Sequence, residues 1–242
     1  MPQFFIDERR IVDRKFTVQE DDLHHLLRVR RVKPGDMLQF RDGRGRSYEV
    51  KVSSVGDSTI QCTVLSRSEP VENSINLRLA VALLKGKKFD LVIQKAVETG
   101  VSEIIPVTTE RTIPEFGEKS QKKTERWQRI ALEASKQSLR QSMPVIRDVV
   151  PYGELVKCGY EGCKILAHAD PESNNLRSFL KETQPPSEVT IIIGPEGGFS
   201  GKEVEIARGF NWNVLHTGIS QFRSETAAIV IPAIILYEWG WR

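Results

Sequence analysis

The sequence predicts an α/β protein with a small β domain followed by a larger domain built on a parallel sheet. Residues 1–70 hold short stretches of alternating polar and apolar residues separated by turns, a pattern typical of a small β-barrel. From residue 77 onwards, uniformly apolar strands alternate with helical stretches, which is typical of a parallel sheet covered on both faces. Residues 71–76 lie in a polar stretch that follows Pro70, and we assign them as the linker between domains 1–70 and 77–242.

The elements follow from hydrophobic periodicity and from the glycines and prolines that interrupt it. In the first domain we expect strands at residues 36–42, 47–55 and 59–66, with one helical stretch at 20–31. In the second domain the expected strands are 77–84, 101–107, 164–167, 189–193 and 213–216. The expected helices are 89–99, 122–141, 174–183, 201–210 and 225–239.

Three residues mark helix ends in the second domain. Gly100 is placed to stop the first helix, and Ser200 with Glu203 has the spacing of a capping box.

Pro232 falls inside the last predicted helix, where a proline ring costs about 3 kcal/mol or bends the helix. We therefore expect that helix to be irregular.

Composition excludes several classes of protein. The 242 residues are 39% hydrophobic, enough to bury a proper core, and the three cysteines are too sparse for a disulfide framework or a zinc site. The first residues do not form a signal peptide and no stretch reaches the length of a membrane span. We expect a cytoplasmic protein with no membrane or metal partner.

The charge distribution points to a polyanionic partner. Net charge is only +3, but residues 28–46 hold seven basic residues and residues 119–147 hold eight. Either run alone is equally well explained as solvated surface, whereas two runs in separate regions favour RNA.

Two glycine loops are the most informative local feature. Residues 194–198 (Gly-Pro-Glu-Gly-Gly) follow an apolar strand and precede a helix, and Gly218 follows the next strand. Ligands of α/β proteins bind at the carboxyl ends of strands, and glycine lets the main chain approach them closely. The spacing matches neither a P-loop nor a dinucleotide fingerprint. The loops therefore suggest a ligand held mostly by main chain, with a plain strand–helix turn as the alternative.

These motifs resemble a known family. Gly194-Pro195-Glu196-Gly197-Gly198-Phe199, followed by Phe222-Arg223-Ser224-Glu225-Thr226-Ala227, is similar to the knotted SPOUT methyltransferases. The closer resemblance is to the ribosomal RNA small subunit methyltransferase E family, which methylates uracil N3 in 16S rRNA. Residues 25–36, 85–106, 110–111 and 133–144 also resemble that family, so the similarity runs along the whole chain.

The resemblance implies an N-terminal PUA-like β-barrel, a C-terminal trefoil knot and a homodimer that acts on the small ribosomal subunit. The apolar last helix also favours a homodimer. The resemblance further implies that three loops hold S-adenosyl-L-methionine. The residues carried over as cofactor-binding are Ala167, His168, Ala169, Gly194, Pro195, Glu196, Gly197, Gly198, Gly218, Ile219, Phe222, Ser224, Thr226 and Ala227. Together with the two basic runs, the resemblance assigns RNA contacts to Arg28, Arg31, Lys95, Arg111 and Arg140.

Methylation of N3 requires the loss of its proton, and the resemblance makes Arg223 and Glu225 the candidate catalytic pair. Arg223 could stabilise the uracil anion or hold an RNA phosphate. Glu225 could accept the proton or only favour the start of the last helix, and His168 and His216 are other possible bases. The alternatives are an RNA-binding or ribosome-assembly protein without catalysis, and a SPOUT enzyme that methylates another RNA nucleotide.

Overall fold

A computed structural model describes residues 4–18, 20–69, 75–112, 120–138, 140, 142–170, 173–218 and 221–240. The chain forms two compact units. The first consists of residues 1–72 together with 135–143, and the second of residues 73–134 together with 144–242.

The first unit is a half-barrel formed by one five-stranded sheet. Its strands, β1 (Phe4–Phe5), β2 (Lys15–Thr17), β3 (Met37–Arg41), β4 (Ser47–Val55) and β5 (Ile60–Ser68), are ordered β1-β3-β4-β5-β2. All neighbours are antiparallel except β1 and β3. A short 3₁₀ turn (Glu8–Arg10) lies between β1 and β2.

The core of the first unit follows from the alternation in its strands. The alternate residues Tyr48, Val50 and Val52 of β4 are buried, as the period-two pattern predicts. Phe40 packs its ring against Phe4 and Phe16, with centroid distances of 5.4 and 5.1 Å. The predicted strands are confirmed to within two residues at either end.

The helical stretch of the first unit differs from the expectation. It begins as helix α1 (Glu20–His24) and continues as a wider π-type turn (His25–Val29). Arg28 and Arg31 at its end are exposed, and Arg31 adopts a left-handed conformation with φ of 51°. The same unit includes an ion pair of 2.8 Å between Lys136 and Asp22. Residues 135–143, expected within the C-terminal domain, therefore belong to the first unit.

The second unit is built on an eight-stranded parallel sheet. Its strands are β6 (Asn76–Ala82), β7 (Glu103–Thr108), β8 (Val145–Ile146), β9 (Val150–Pro151), β10 (Cys163–Ala167), β11 (Asn174–Asn175), β12 (Glu188–Ile193) and β13 (Asn213–His216). Their order is β11-β13-β10-β12-β6-β7-β8, and β9 also pairs with β7. The five longer strands were predicted, whereas the three two-residue strands were not.

Within the described residues, six helices cover this sheet on both faces. They are α2 (Lys88–Thr99), α3 (Ser120–Gln137), α4 (Tyr152–Lys157), α5 (Leu176–Glu182), α6 (Gly201–Gly209) and α7 (Ser224–Trp239). Buried residues of α2, α3, α5 and α7 share one core cluster, whereas those of α4 and α6 belong to a second. The strands contribute alternate residues to the two cores, because successive side chains point to opposite faces. The predicted doubly covered parallel sheet is confirmed.

Strand order requires a crossing near the C-terminus. Strands β10 and β11 lie on either side of β13. Both Ala167, the last residue of β10, and Asn174, the first of β11, pair with Leu215 of β13. Between β10 and β11 the chain therefore crosses from one side of β13 to the other. This crossing is the arrangement that a C-terminal trefoil knot requires.

The helix ends show where local sequence signals hold. Gly100 caps α2 in the left-handed region with φ of 113°, as predicted. Pro232 lies inside α7, and the helix continues through it without a break. Pro232 is buried and α7 packs along α2, so tertiary packing compensates for the backbone hydrogen bond that the proline cannot donate.

Candidate active site

Three loops of the second unit meet at the carboxyl ends of neighbouring strands. They follow β10, β12 and β13, which lie side by side in the sheet. Together with the start of α7 they enclose a cavity of about 710 Å³. A cavity of this size at the ends of parallel strands is where α/β proteins bind small ligands.

The loop after β12 forms one wall of the cavity. Its N–H at Gly198 donates to the carbonyl of Pro195 at 2.9 Å, which closes a tight turn, and Gly198 has a left-handed φ of 67°. A Cβ at Gly194 would lie 3.0 Å from the ring of Phe199. Glycine at 194 thus lets the Phe199 ring pack over the main chain, while glycine at 198 permits the turn.

The capping box anchors this loop to α6, as predicted. The Ser200 N–H donates to the Glu203 carboxylate at 2.8 Å, and the Glu203 N–H donates to the Ser200 hydroxyl at 3.3 Å. The buried Glu203 carboxylate also accepts the N–H of Glu110 at 2.9 Å. This last bond ties the end of β7 to the start of α6, and it places Arg111 beside the glycine loop.

Arg111 supports the main chain of the glycine loop. Its guanidinium donates to the Gly197 carbonyl, and a Cβ at Gly197 would lie 3.3 Å from the Arg111 Cδ. Arg111 also lines the cavity. We predicted Arg111 as an RNA contact. The structure places Arg111 against the glycine loop of residues 194–198, and its contact with RNA stays a prediction.

The loop after β13 leads into α7. Gly218 has a left-handed φ of 134°, and its N–H donates to Nδ1 of His216 at 3.2 Å. Arg223 is the exposed N-cap residue of α7 and lines the cavity, as does Phe222. Arg223 thus lies at the cavity wall, and its catalytic role stays a prediction.

Lys88 is a site residue that the sequence analysis missed. It is the first residue of α2, and its ammonium lies 3.3 Å from the carboxylates of both Glu196 and Glu225. It therefore joins the loop after β12 to the start of α7. The signal was a run of lysines at a helix N-terminus, where carboxylates are normally favoured.

The environment of Glu225 makes it a weak base. A hydrogen bond from its own backbone N–H and the ion pair with Lys88 outweigh burial and lower the pKa of its carboxyl group. Its second oxygen, Oε2, is buried without a hydrogen-bond partner, and Glu225 is absent from the described residues that line the cavity. The pKa of Lys88 is raised, because its bonds to Glu196 and Glu225 outweigh burial, which acts to lower it.

His168 is a titratable residue of the cavity wall. It lines the cavity, its backbone N–H donates to Leu215 at 3.0 Å, and its ring lies 6.4 Å from that of Phe199. Burial lowers the pKa of its imidazole, aided by the positive charges of Arg208 and Arg111, although Asp170 opposes them. The shift favours the neutral form of the imidazole.

The structure brings most of the predicted cofactor residues together. The described residues that line the cavity include Ala167, His168, Ala169, Gly194, Pro195, Glu196, Gly197, Gly198, Gly218, Phe222, Ser224 and Ala227. Thr226 is half-buried one turn into α7 and is absent from this lining, and Ile219 lies outside the described residues. Whether these residues bind a cofactor remains a prediction.

The other predicted RNA contacts are spread over both units. Arg28 and Arg31 are exposed in the first unit, where burial lowers the pKa of the half-buried Arg140 to about 10. Lys95 lies on α2 of the second unit and pairs with Glu98 at 2.9 Å. Within the described residues, no cluster of side chains could hold a metal ion, and no helix has the length and hydropathy of a membrane span.

Comparison with known proteins defines the class. The family model of an RNA methyltransferase domain matches residues 71–236, and that of an RNA methyltransferase PUA domain matches residues 18–65. The chain therefore has the two domains of an RNA methyltransferase with a PUA domain.

Individual relatives show which family of RNA methyltransferases the chain resembles. Ribosomal RNA small subunit methyltransferase E of Synechocystis is 32% identical, over 93% of this chain and 74% of that protein. The Bacillus subtilis protein of the same name is 28% identical, over 92% and 90%. The Neisseria gonorrhoeae enzyme of that name, solved with S-adenosyl methionine, matches with a TM-score of 0.84 at 27% identity, over 99% of this chain and 98% of that one. A Legionella pneumophila methyltransferase solved with the bound cofactor SAM matches with a TM-score of 0.85 at 28% identity, over 99% of this chain and 98% of that one.

The chain belongs to the ribosomal RNA small subunit methyltransferase E family. The resemblance read from the two glycine loops is thus confirmed over the length of the chain.

Proposed function

We propose that the protein transfers a methyl group from S-adenosyl-L-methionine to N3 of a uridine in the 16S rRNA of the small ribosomal subunit. The observation that carries this proposal is the three-loop cavity, in a chain whose relatives include structures solved with that cofactor. Glycine at 194, 197, 198 and 218 leaves the main chain of these loops without side chains that would keep a ligand at a distance.

The cavity fits the cofactor in size and chemistry. Its volume of about 710 Å³ lies in the range of pockets for drug-sized ligands. Ala167, Gly194 and Gly218 supply small wall residues, whereas Glu196 and Arg223 supply charges for the polar ends of the ligand. S-adenosylmethionine supplies the methyl group from its sulfonium.

The chain must then remove a proton and stabilise an anion. In the reaction the N3–H bond of uracil and the S–CH₃ bond break, an N3–CH₃ bond forms, and the sulfonium becomes a neutral thioether. Arg223 lies at the cavity wall and stabilises the negative charge of the deprotonated uracil. The neutral imidazole of His168 accepts the proton directly or through water.

Glu225 acts in this proposal through Lys88. With its pKa lowered and one oxygen buried, the carboxylate holds the Lys88 ammonium, which in turn pairs with Glu196 of the neighbouring loop. The ion pair between Lys88 and Glu225 thereby fixes the start of α7 and, with it, the position of Arg223. This assigns Glu225 a positioning role in place of the base role that the sequence analysis left open.

A homodimer, formed through α7, is the second part of the proposal. Ile234 and Tyr237 of α7 are 40% and 71% exposed, and Phe222 just before the helix is 38% exposed. Large apolar side chains grouped on one surface indicate a protein contact. Light scattering at micromolar concentration should give twice the chain mass, and a monomer would overturn this part. The cytoplasm, where small subunits are assembled and modified, is the proposed location.

The direct test of the function is methyl transfer in vitro. The protein is incubated with methyl-labelled S-adenosylmethionine and either free 16S rRNA or small subunits, and the digested RNA is analysed by mass spectrometry. The proposal expects labelled N3-methyluridine. Cofactor binding without transfer would favour the catalytically inactive RNA-binding protein, and label in another nucleoside would identify a different target atom.

A further inference from the structure

A second cavity of the same unit lies next to the first. It has a volume of about 980 Å³ and is lined from the end of β6, the start of α2, the end of β7 and the side of α3. It shares Lys88, Arg111, Glu196 and Gly197 with the first cavity. The two cavities therefore meet at a wall made by these four residues.

The second cavity is strongly cationic. It is lined by six basic residues and two acidic ones, an excess of four positive charges. Asp90, one of the two carboxylates, is paired with Arg126, and Glu196, the other, is paired with Lys88. The acidic residues are thus neutralised within the wall, and the lining of the cavity keeps an excess of basic residues.

Lys85 and Lys87 supply the most accessible part of this charge. Both are exposed, and within the described part of the chain neither forms an ion pair. Gly86 between them adopts φ of 62°, and a Cβ there would meet no atom within 4 Å. The left-handed turn at an open position presents both ammonium groups at the cavity rim.

The floor of the cavity is rigid. Phe89 and Trp127 are 3% and 4% exposed, with ring centroids 4.6 Å apart, and they hold the start of α2 against α3. Arg126 is held by its bond to Asp90 and Arg111 by its bond to Gly197. Arg111 and Arg126 are therefore fixed before a ligand arrives, which limits the entropy that these two side chains lose on binding.

We propose that this second cavity binds the target nucleotide and its flanking phosphates, with single-stranded RNA as the ligand. The inference rests on the proposed function, because it places the methyl acceptor beside the cofactor. The phosphates contact Lys85 and Lys87 at the rim, and the base enters the wall that both cavities share, at Lys88, Arg111 and Glu196. The volume exceeds that of the cofactor cavity, which accords with a nucleotide and part of its neighbours.

The test compares two double variants of the full-length protein. The first is Lys85→Gln with Lys87→Gln. The control, Lys157→Gln with Lys202→Gln, removes the same charge from exposed positions on α4 and α6, whose buried residues pack in the opposite core. Each protein is measured for S-adenosylmethionine affinity by calorimetry, for binding of a short uridine-containing oligoribonucleotide over a range of salt, and for methyl transfer to small subunits.

The inference expects a selective loss in the first variant. Its cofactor affinity should equal that of wild type, its oligoribonucleotide affinity should fall about tenfold, and its salt slope should drop by about 0.7 per lost phosphate contact. Methyl transfer should fall with RNA affinity, and the control should match wild type in all three.

Other outcomes overturn the inference or the function separately. Wild-type RNA affinity and salt slope in the first variant, equal losses in the control, or loss of cofactor binding would each reject the second cavity as the RNA site. If wild type binds the oligoribonucleotide through Lys85 and Lys87 but transfers no methyl group, the cavity stands and the proposed function fails.

Discussion

Replacing Gly198 by alanine tests the conformation of the cofactor loop directly. Gly198 has φ of 67°, and a Cβ added there would meet no atom within 4 Å, so steric contact adds nothing to the cost. Gly201, three residues further on, also has open space around a Cβ, but its φ lies outside the left-handed region. The two alanine variants therefore differ mainly in backbone conformation.

The expected cost follows from the backbone alone. An L-residue in the left-handed region costs about 1–2 kcal/mol, and the reduced entropy of the unfolded chain returns about 0.4–1 kcal/mol. Gly198→Ala should thus lose about 1 kcal/mol. If the loop keeps its shape, the free energy of unfolding decreases by this amount. If the loop relaxes, the cavity wall moves and cofactor affinity falls instead, by up to about tenfold per 1.4 kcal/mol.

Urea denaturation and calorimetry with S-adenosylmethionine measure the two losses. Gly201→Ala should retain cofactor affinity and gain up to about 1 kcal/mol in unfolding free energy, since alanine favours the helix that begins there. The reasoning is refuted if Gly198→Ala matches Gly201→Ala in both stability and affinity.

Three further predictions concern the cofactor, the chemistry and the RNA. Gly197→Val should weaken S-adenosylmethionine binding at least tenfold in calorimetry, about 1.4 kcal/mol, because a Cβ added there would lie 3.3 Å from the Arg111 Cδ. Normal affinity in the folded variant would place the cofactor elsewhere. Arg223→Ala should bind the cofactor almost normally but lose at least about 10²-fold in single-turnover rate; lost cofactor binding would make Arg223 part of the loop, and normal turnover would remove it from the mechanism. Arg28→Ala with Arg31→Ala should reduce the salt slope of RNA binding by about one unit per phosphate contact, and an unchanged slope would show that both are solvated surface.

The longer elements were predictable because periodicity and end signals are local. The apolar runs of β6, β12 and β13 and the caps at Gly100 and Ser200 specify their own conformation. The two-residue strands β8, β9 and β11 were missed, because two residues carry no periodic signal and pairing with a neighbour alone defines them. The π-type turn at His25 and the continuity of α7 through Pro232 likewise depend on tertiary packing.

The site was predictable only in part for the same reason. Glycines at 194, 197, 198 and 218 reveal a close approach of the main chain, and they gave the cavity wall. The bond between Lys88 and Glu196 joins residues 108 positions apart, and that between Glu110 and Glu203 joins residues 93 apart. No local pattern encodes such pairs, so the link from α2 to the glycine loop appears only in the folded chain.

The most direct test of the central claim is the modification state of 16S rRNA in cells with and without the protein. A methyl group on N3 replaces the Watson–Crick donor of uracil, so reverse transcriptase stops at the modified nucleotide. We predict one uridine stop in RNA from cells that carry the protein, read-through in cells that lack it, and restoration of the stop by the wild-type chain but not by Arg223→Ala. Identical stop patterns in cells with and without the protein would contradict the account.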